Sequence, residues 1–247
     1  DQRYIDEQAK KNYVAHWNLL GAISATSAVV NACKKDIKKY LKDKNLKLRF
    51  ISDKQLDLLL RLQKYMPTKL QARINKLQAF FDLIQGKPNE LALSLAYWVN
   101  RQNKKPECNL NPDRDNCGLI WYAPVIPFLE ENITKFVDLI YKLCHENNFE
   151  PLITLTAMSS RYLECTLPIL YDKANVEAAA RASEFFKLLT REGQKIGVFP
   201  YRLPCSHMDV LEQPKSKFMP VIMKLKKCLD KNNIIAPGRY SNQKFIQ

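Results

Sequence analysis

The 247-residue chain carries 39 basic and 25 acidic side chains, a formal net charge of +14, and 46% of its residues are hydrophobic. This apolar content excludes an intrinsically disordered chain, and the presence of only 6 glycines excludes a collagen-like one. The composition predicts a soluble globular protein of one large domain or two small ones. No apolar run in the sequence is as long as a membrane span.

The net positive charge suggests a nucleic-acid surface, and the densest basic run, residues 34–49, tests that idea. Its lysines occupy one side of a predicted helix and its apolar residues the other, as in any solvated amphipathic helix. The sequence therefore disfavours nucleic acid as a partner and predicts no membrane contact. An acidic partner domain and an oligomeric state are left open.

The seven cysteines are odd in number and include no CxxC pair. This pattern predicts reduced, mostly buried thiols in a cytoplasmic protein rather than a disulfide framework. The sequence begins at Asp1 rather than at a methionine, so we expect an upstream segment, and a signal peptide is left open.

The first half of the chain alternates predicted helices with short apolar runs. Ser52 and Gln55 have the spacing of a capping box, which predicts a helix start. Residues 46–50 alternate apolar and basic side chains with the two-residue period of a half-buried strand. The predicted elements are a polar helix 1–15, a strand 17–25, a Lys-rich helix 26–43, a strand 46–50, helices 52–66 and 68–84, an ambiguous segment 91–99 and a surface loop 101–116.

In the second half, the hydrophobic period changes visibly between two and about 3.6 residues from one segment to the next. The predicted elements are a strand 119–126, a helix over 133–144, strands 152–158 and 162–171, a helix over 176–189, a strand 198–203 and a last helix 218–229. The order β-α-β-β-α-β is that of the ferredoxin-like unit. We therefore predict an α+β fold of ferredoxin-like units, with an antiparallel sheet and helices packed on one face.

Three short segments stand out in this pattern. The tail contains Ile-Ala-Pro-Gly-Arg, ending at Arg239, after a helix that ends near Asp230; a second segment is Cys-Gly-Leu-Ile-Trp-Tyr-Ala-Pro, ending at Pro124; the third is Pro-Tyr-Arg, ending at Arg202. Together and in this order they resemble the C-terminal part of the vanillyl-alcohol oxidase and p-cresol methylhydroxylase family of FAD-dependent oxidoreductases. Lys231 stands where the family usually has proline, which should soften the turn without abolishing it.

The resemblance implies that the cofactor is FAD and that a separate N-terminal FAD-binding domain, which these residues do not include, holds most of it. Residues 1–200 would be a partial cap (substrate) domain, and residues 201–247 a segment that packs back on the FAD-binding domain. The stretch 116–119 contains no histidine or tyrosine, so we expect no covalent flavin attachment through it. The implied cofactor-binding residues are Arg202, Pro237, Gly238 and Arg239.

The resemblance also implies a substrate pocket in which Trp121 and Tyr122 form an aromatic wall and Met158 takes part. Tyr201 and Arg202 would be catalytic. Adjacent strand residues point to opposite faces, so this pair can act on one ligand only where a strand ends. Prolines on both sides of the pair predict such an ending. Arginine presents a planar donor fork suited to an anionic flavin or a phenolate, and tyrosine adds one hydroxyl. A ring packed at a sheet edge beside an exposed arginine is the alternative.

Glu164 is the third predicted catalytic residue. On the predicted strand 162–171 it belongs to a polar face, and in phenol-oxidising relatives this strand carries histidines near the substrate. We hypothesise that Glu164 is a pocket acid or base and that the substrate differs from a simple phenol. A salt bridge to Arg161 or Lys173 on a solvated sheet face is the alternative left open.

No metal site is predicted, because Cys205 and His207 lack the further ligands that zinc requires; we expect them to pack in the core or a pocket wall. The sequence also contains no Gly-rich phosphate loop. We therefore expect this chain to be the pocket of an enzyme that transfers a hydride from an alcohol or benzylic carbon to flavin, with an alcohol or phenol-like substrate, and to be inactive alone. The alternative is a catalytically idle interaction protein whose basic surface binds an acidic partner or nucleic acid, for which salt-sensitive association is the test.

Overall fold

The computed structural model describes residues 7, 15, 17–44, 46, 48–99, 106–208, 218–237 and 239. The chain divides into two compact units, Asp1–Leu91 and Ala92–Gln247, each described by itself. The predicted polar helix 1–15 lies outside the described residues except at Glu7 and Ala15.

Helices dominate the described part of the first unit. Ser52 forms the predicted capping box: the Gln55 amide donates to Ser52 Oγ at 3.4 Å, and the Ser52 amide donates to Gln55 Oε1 at 2.9 Å. These bonds satisfy amides that a helix start leaves unpaired, so the helix begins where predicted. The elements are α1 (Ser27–Leu41), α2 (Asp53–Leu62), a short 3-10 turn (Gln63–Tyr65) and α3 (Thr68–Ile84).

Two strands predicted in this unit are wrong. Residues 17–25 form irregular chain, and Leu19 within them is 91% exposed. The described positions of 46–50 are irregular as well. A strand needs a neighbouring strand to pair with, and the described part of this unit provides none. Apolar content and apolar–polar alternation were therefore insufficient to predict a strand in these two segments.

The Lys-rich helix α1 contains no fully buried residue, but its two faces differ as the amphipathic pattern predicted: most of its lysines are exposed, whereas Val30, Cys33, Ile37 and Leu41 are partly buried. The ammonium groups of Lys34 and Lys38 lie over the ring of Phe50, 5.7 and 5.8 Å from its centroid. Part of the basic face is thus engaged within the unit through cation–π contacts.

The second unit contains a five-stranded antiparallel sheet. The long strand β4 lies at its centre. Strands β1 and β2 pair in succession along one edge of β4, β3 pairs along its other edge, and β5 pairs with β2. The strands are β1 (Cys117–Tyr122), β2 (Pro124–Pro127), β3 (Thr154–Ala157), β4 (Tyr162–Asp172) and β5 (Phe199–Pro200).

The predicted strand 198–203 is reduced to the two residues of β5 because Pro200 and Pro204 have no amide to donate to a ladder. The ambiguous segment 91–99 forms a short 3-10 helix, Ala92–Tyr97. The remaining helices are α4 (Glu130–Glu146), α5 (Val176–Lys195), a 3-10 turn (Cys205–His207) and α6 (Phe218–Leu229).

One face of the sheet packs against α4 and α5 in a single apolar core. Residues from both helices and from alternate strand positions are fully or nearly fully buried there. The α+β class and the antiparallel sheet are confirmed. The core includes Tyr122, Ile126, Phe136, Ile140, Cys144, Cys165, Leu167, Ile169, Phe186 and Leu189.

All seven cysteines are free, but only Cys117, Cys144 and Cys165 are buried, so the prediction of mostly buried thiols is wrong. Burial raises the pKa of Cys144 and of Cys165 to about 12, which keeps both as unreactive thiols. Among the described helices, none is both long and apolar enough to cross a membrane.

Candidate functional site

The sheet face opposite α4 and α5 carries three of the predicted site residues, Trp121, Glu164 and Tyr201, together with Phe199; we call these four residues the outer face. In antiparallel pairs, directly opposed residues lie on the same face. Val125 is opposite both Glu164 and Phe199, which sets these two side chains on one face. Tyr201 follows Phe199 by two residues, and its amide donates to the Ala123 carbonyl at 3.0 Å, which continues the ladder.

Trp121 belongs to the same face, because it is opposite Pro168, an even-numbered β4 residue like Glu164. Its side chain is 39% exposed. The predicted pocket residue Trp121 is therefore available to a ligand.

Tyr201 and Glu164, far apart in sequence, are brought together by the strand order β4-β2-β5. The side chain of Glu164 acts on Tyr201 through a hydrogen-bonding interaction and charge and, together with burial, raises the pKa of Tyr201; nearby Arg202 partly opposes the rise. Tyr201 nevertheless remains half exposed.

Arg202 lies beside Tyr201, with its guanidinium carbon 5.9 Å from the tyrosine ring centroid. The strand ends at Pro200, so the pair is at a strand terminus as the flanking prolines predicted. The guanidinium of Arg202 and the ring of Tyr201 are thus neighbours at the border of the outer face.

Tyr122 lies on the opposite face and is separated from the other predicted pocket residues. It is 0% exposed, its hydroxyl donates to the Leu189 carbonyl at 3.1 Å, and its ring meets Phe186 edge-on with centroids 6.0 Å apart. Adjacent strand residues alternate in direction, so Trp121 and Tyr122 do not form one wall. The site proposed below leaves out Tyr122.

Met158 lies just beyond β3 and is half exposed. It is two residues from Thr156, which is opposite Glu164, so it continues the outer-face alternation toward the turn. Two alternative partners were suggested for Glu164: Lys173 forms an ion pair with Asp113 instead, and Arg161 forms no ion pair with Glu164 in the described part of the chain.

The tail returns to the segment that follows Arg202. Arg239 Nη2 donates to Cys205 Sγ at 3.5 Å, and Pro237 lies beside them around a shallow depression. Asp230 ends α6 as predicted and accepts hydrogen bonds from the Ile234 and Ile235 amides at 2.9 and 3.0 Å. The predicted cofactor residue Gly238 lies outside the described residues.

His207 is buried and packs against Phe186, with ring centroids 4.7 Å apart. Its two ring nitrogens are hydrogen-bonded with the hydroxyls of Ser183 and Ser206, both at 2.8 Å. The prediction of core packing is confirmed for His207, whereas Cys205 is exposed. Within the described ranges, no group of three potential ligands could hold a metal ion.

Sequence reasoning missed Phe199, an exposed aromatic residue on the outer face. Its spacing of two residues from Tyr201 was the available signal. The sequence interpretation placed Tyr201 and Arg202 at the end of a strand and did not follow the side-chain alternation back to Phe199.

No family model matches the chain. Over 239 residues it is 25% identical to the 4-cresol dehydrogenase [hydroxylating] flavoprotein subunit of Pseudomonas putida, covering 95% of this chain and 39% of that protein. Over 155 residues it is 30% identical to 1'-carboxy-chondrochloren decarboxylase of Chondromyces crocatus, covering 63% of this chain and 28% of that protein.

Solved structures of flavoproteins share the fold, and two of them illustrate the likeness. A substrate-bound p-cresol methylhydroxylase superposes with a TM-score of 0.73 at 22% identity, over 97% of this chain and 41% of the other. A 4-ethylphenol oxidase from Gulosibacter chungangensis in complex with isoeugenol superposes with a TM-score of 0.71 at 17% identity, over 97% of this chain and 42% of the other. The resemblance stated from the sequence is confirmed: the chain matches the C-terminal part, about 40%, of these flavoproteins.

Proposed function

We propose that this chain is the substrate-binding half of a FAD-dependent oxidoreductase that transfers a hydride from an alcohol or benzylic carbon to flavin. The observation that carries the proposal is the outer face, which brings Trp121, Glu164 and Tyr201 together beside Arg202. The similarity to a 4-cresol dehydrogenase subunit over 95% of the chain supports it.

The chemistry of the outer face fits a planar redox ring. Trp121, Phe199 and Tyr201 are partly exposed aromatic side chains on one sheet face, which suits stacking against a flat conjugated group. Arg202 adds a permanent positive charge beside them. We propose that Arg202, Pro237, Gly238 and Arg239 contact the cofactor and that a separate domain binds the rest of it. FAD, when bound, supplies the two-electron chemistry of the reaction.

The residues of this chain would act by positioning and by electrostatics. Trp121 and Met158 would bound the substrate and exclude water. Tyr201 and Glu164 would hold the polar group of the substrate through hydrogen bonds. Arg202 would stabilise negative charge that develops beside it during transfer.

We also propose that residues 1–200 correspond to a partial cap domain and residues 201–247 to a segment that packs on the flavin-binding domain. The return of Arg239 to Cys205 supports treating the tail as one unit with the Tyr201 and Arg202 segment. The strand order β5-β2-β4-β3, with α4 and α5 on one face, supports the ferredoxin-like description of the second unit.

A second candidate is a flavin-dependent decarboxylation. The relative named as a decarboxylase is 30% identical over 155 residues, the higher of the two identities. In that case Arg202 would bind a substrate carboxylate, a bidentate pairing that arginine favours. Carbon dioxide release distinguishes this candidate from simple hydride transfer.

The test uses the protein expressed together with its coding sequence upstream of Asp1. We expect the purified protein to carry FAD, and the absorbance of the oxidised flavin to disappear when a 4-alkylphenol or benzylic alcohol is added without oxygen. Products are then identified as an aldehyde, ketone or alkene, or as carbon dioxide with a decarboxylated product.

The 247-residue chain alone is the control and should bind FAD weakly. Tight FAD binding and substrate-dependent bleaching by this chain alone would contradict the division between two domains. A flavin-loaded protein that none of these substrate classes reduces would contradict the proposed reaction.

A further inference from the structure

A small cavity lies along β4, beyond the point where β3 stops pairing with it. The β3–β4 ladder ends at the pair formed by Thr154 and Thr166. In the segment before β3, the amides of Leu152 and Ile153 donate to the carbonyls two residues earlier in the chain, at 3.0 and 2.9 Å, and so do not extend the ladder. The residues that line the resulting cavity, which we call the edge cavity, include Trp98, Phe149, Glu150, Leu152, Leu170 and Arg181.

The edge cavity combines a mostly apolar lining with a volume suited to one small ligand. Leu152, Pro168 and Leu170 contribute apolar side chains, and Trp98 and Phe149 add aromatic rings. The cavity measures about 250 Å³. Because a cavity of about 150 Å³ can hold one benzene ring, the edge cavity has room for a group of that size together with a polar group.

Two side chains of opposite charge also line the edge cavity. The Glu150 carboxylate accepts a hydrogen bond from Trp98 Nε1 at 2.8 Å. The guanidinium carbon of Arg181 lies 5.7 Å from the centroid of the Phe149 ring, and this ring stacks on that of Phe185 with centroids 4.3 Å apart. In the part of the chain that the structure describes, Glu150 and Arg181 form no ion pair with each other.

Both charged groups keep bonding capacity for a ligand. A carboxylate can accept about four hydrogen bonds, and Glu150 accepts one, from Trp98. Arg181 makes no hydrogen bond or ion pair among the described residues, so its planar N–H donors can pair with a carboxylate. The ring of Trp98 is half exposed, and an indole face attracts an ammonium group.

We propose that the edge cavity binds a free α-amino acid with a large apolar side chain. The ammonium group pairs with Glu150 beside the Trp98 ring, the carboxylate pairs with Arg181, and the side chain contacts Leu152 and Leu170. A ligand with a single charge leaves the opposite charge of the cavity unmatched, whereas a zwitterion matches both. No outer-face residue lines this cavity, so the inference is independent of the proposed function.

The test compares three ligands that share a phenyl ring and differ in their charged ends. L-Phenylalanine carries both charges, 3-phenylpropanoate carries only the carboxylate, and 2-phenylethylamine carries only the ammonium group. Each is titrated into the 247-residue chain at neutral pH by isothermal titration calorimetry. We expect phenylalanine to bind about tenfold more tightly than either of the others, because each missing charged group removes charge-assisted hydrogen bonds.

Two variants identify the partner of each charge. Arg181→Met should weaken the binding of phenylalanine and of 3-phenylpropanoate by about tenfold and should not weaken that of 2-phenylethylamine. Glu150→Gln, whose amide oxygen can still accept from Trp98, should weaken phenylalanine and 2-phenylethylamine but not 3-phenylpropanoate. Arg191→Met and Glu146→Gln, at exposed residues of α5 and α4, are the matched controls and should bind all three ligands as the parent does. Circular dichroism checks that each variant is folded.

The outcomes decide the inference without involving flavin. Phenylalanine that fails to bind, or that binds no more tightly than the two singly charged ligands, would overturn an amino-acid site. Affinities for phenylalanine that are unchanged in Arg181→Met or in Glu150→Gln would overturn the assigned partners and the site with them. The proposed oxidoreductase function would stand in each of these cases, since its test uses other residues and other ligands.

Discussion

At the scale of single residues, two neighbours on β1 have opposite environments. Trp121 is partly exposed on the outer face, whereas the Tyr122 hydroxyl is bonded to the carbonyl of Leu189 in α5. Gly193 makes this approach feasible, since a Cβ there would lie 2.4 Å from the Tyr122 hydroxyl oxygen. Tyr122 therefore links α5 to the sheet, whereas Trp121 is on the outer face.

Tyr122→Phe should lower stability without changing ligand binding. The variant removes one buried hydrogen bond and leaves the ring in place, a loss of about 1 kcal/mol. For a chain of this size that corresponds to roughly 2 to 4 °C in thermal midpoint. Tyr141→Phe, an exposed tyrosine on α4, is the control and should unfold as the parent does.

Calorimetry measures the thermal midpoints of both variants. Binding of a phenolic ligand, 4-nitrophenol, is compared between each variant and the parent. Equal midpoints for Tyr122→Phe and Tyr141→Phe would contradict the anchoring role of Tyr122. If Tyr122→Phe lost ligand binding while remaining folded, Tyr122 would be a pocket residue after all.

At the scale of elements, the loop that precedes β1 is fixed by Asp115. The Tyr97 hydroxyl donates to Asp115 Oδ2 at 2.6 Å, and Arg114 donates to the two carboxylate oxygens at 2.7 and 2.9 Å. The hydrogen bond from Arg114, followed by that from Tyr97, lowers the pKa of Asp115 from 3.8 to about 2. Burial and the bond to Asp115 raise the pKa of Tyr97 to about 12.

These shifts predict a pH dependence of stability with a definite sign. Between pH 3.8 and about 2 the unfolded chain binds a proton at Asp115 that the folded chain does not. The stabilisation by Asp115 is therefore complete above this window and is lost as the pH falls through it. Denaturant titrations should show less loss of stability across this window in Asp115→Asn than in the parent. If the free energy of unfolding fell equally with pH in Asp115→Asn and in the parent, the stabilising role of Asp115 would be contradicted.

The helices were predictable from local signals, whereas the strands depended on partners. The capping box at Ser52 and the residues 68–84 correspond to observed helix bounds because caps and a 3.6-residue period act within one segment. The runs 17–25 and 46–50 have strand-like composition but lack a pairing strand in the described first unit. The spacing of apolar residues within one segment does not show whether a distant segment pairs with it as a strand.

At the scale of the whole molecule, the candidate site depends on sheet order. Trp121, Tyr201 and Arg202 were named from sequence because their motifs are local. The interaction between Glu164 and Tyr201 was not predicted, because it requires β2 to lie between β4 and β5. Tyr122 was assigned to the pocket because resemblance to a motif does not show which of two adjacent residues faces the ligand.

The central claim is that the outer face, bordered by Arg202, covers the reacting ring when a flavin-binding domain is present. The most direct measurement is the rate of flavin reduction without oxygen in Arg202→Met, made in the protein that carries this domain. We expect reduction to slow by about 100-fold or more, the usual effect of removing one electrostatic stabiliser at a reacting centre. Arg191→Met, at an exposed arginine on α5, should reduce at the parent rate. Equal rates for the Arg202 variant and the parent, with flavin bound in both, would contradict the claim.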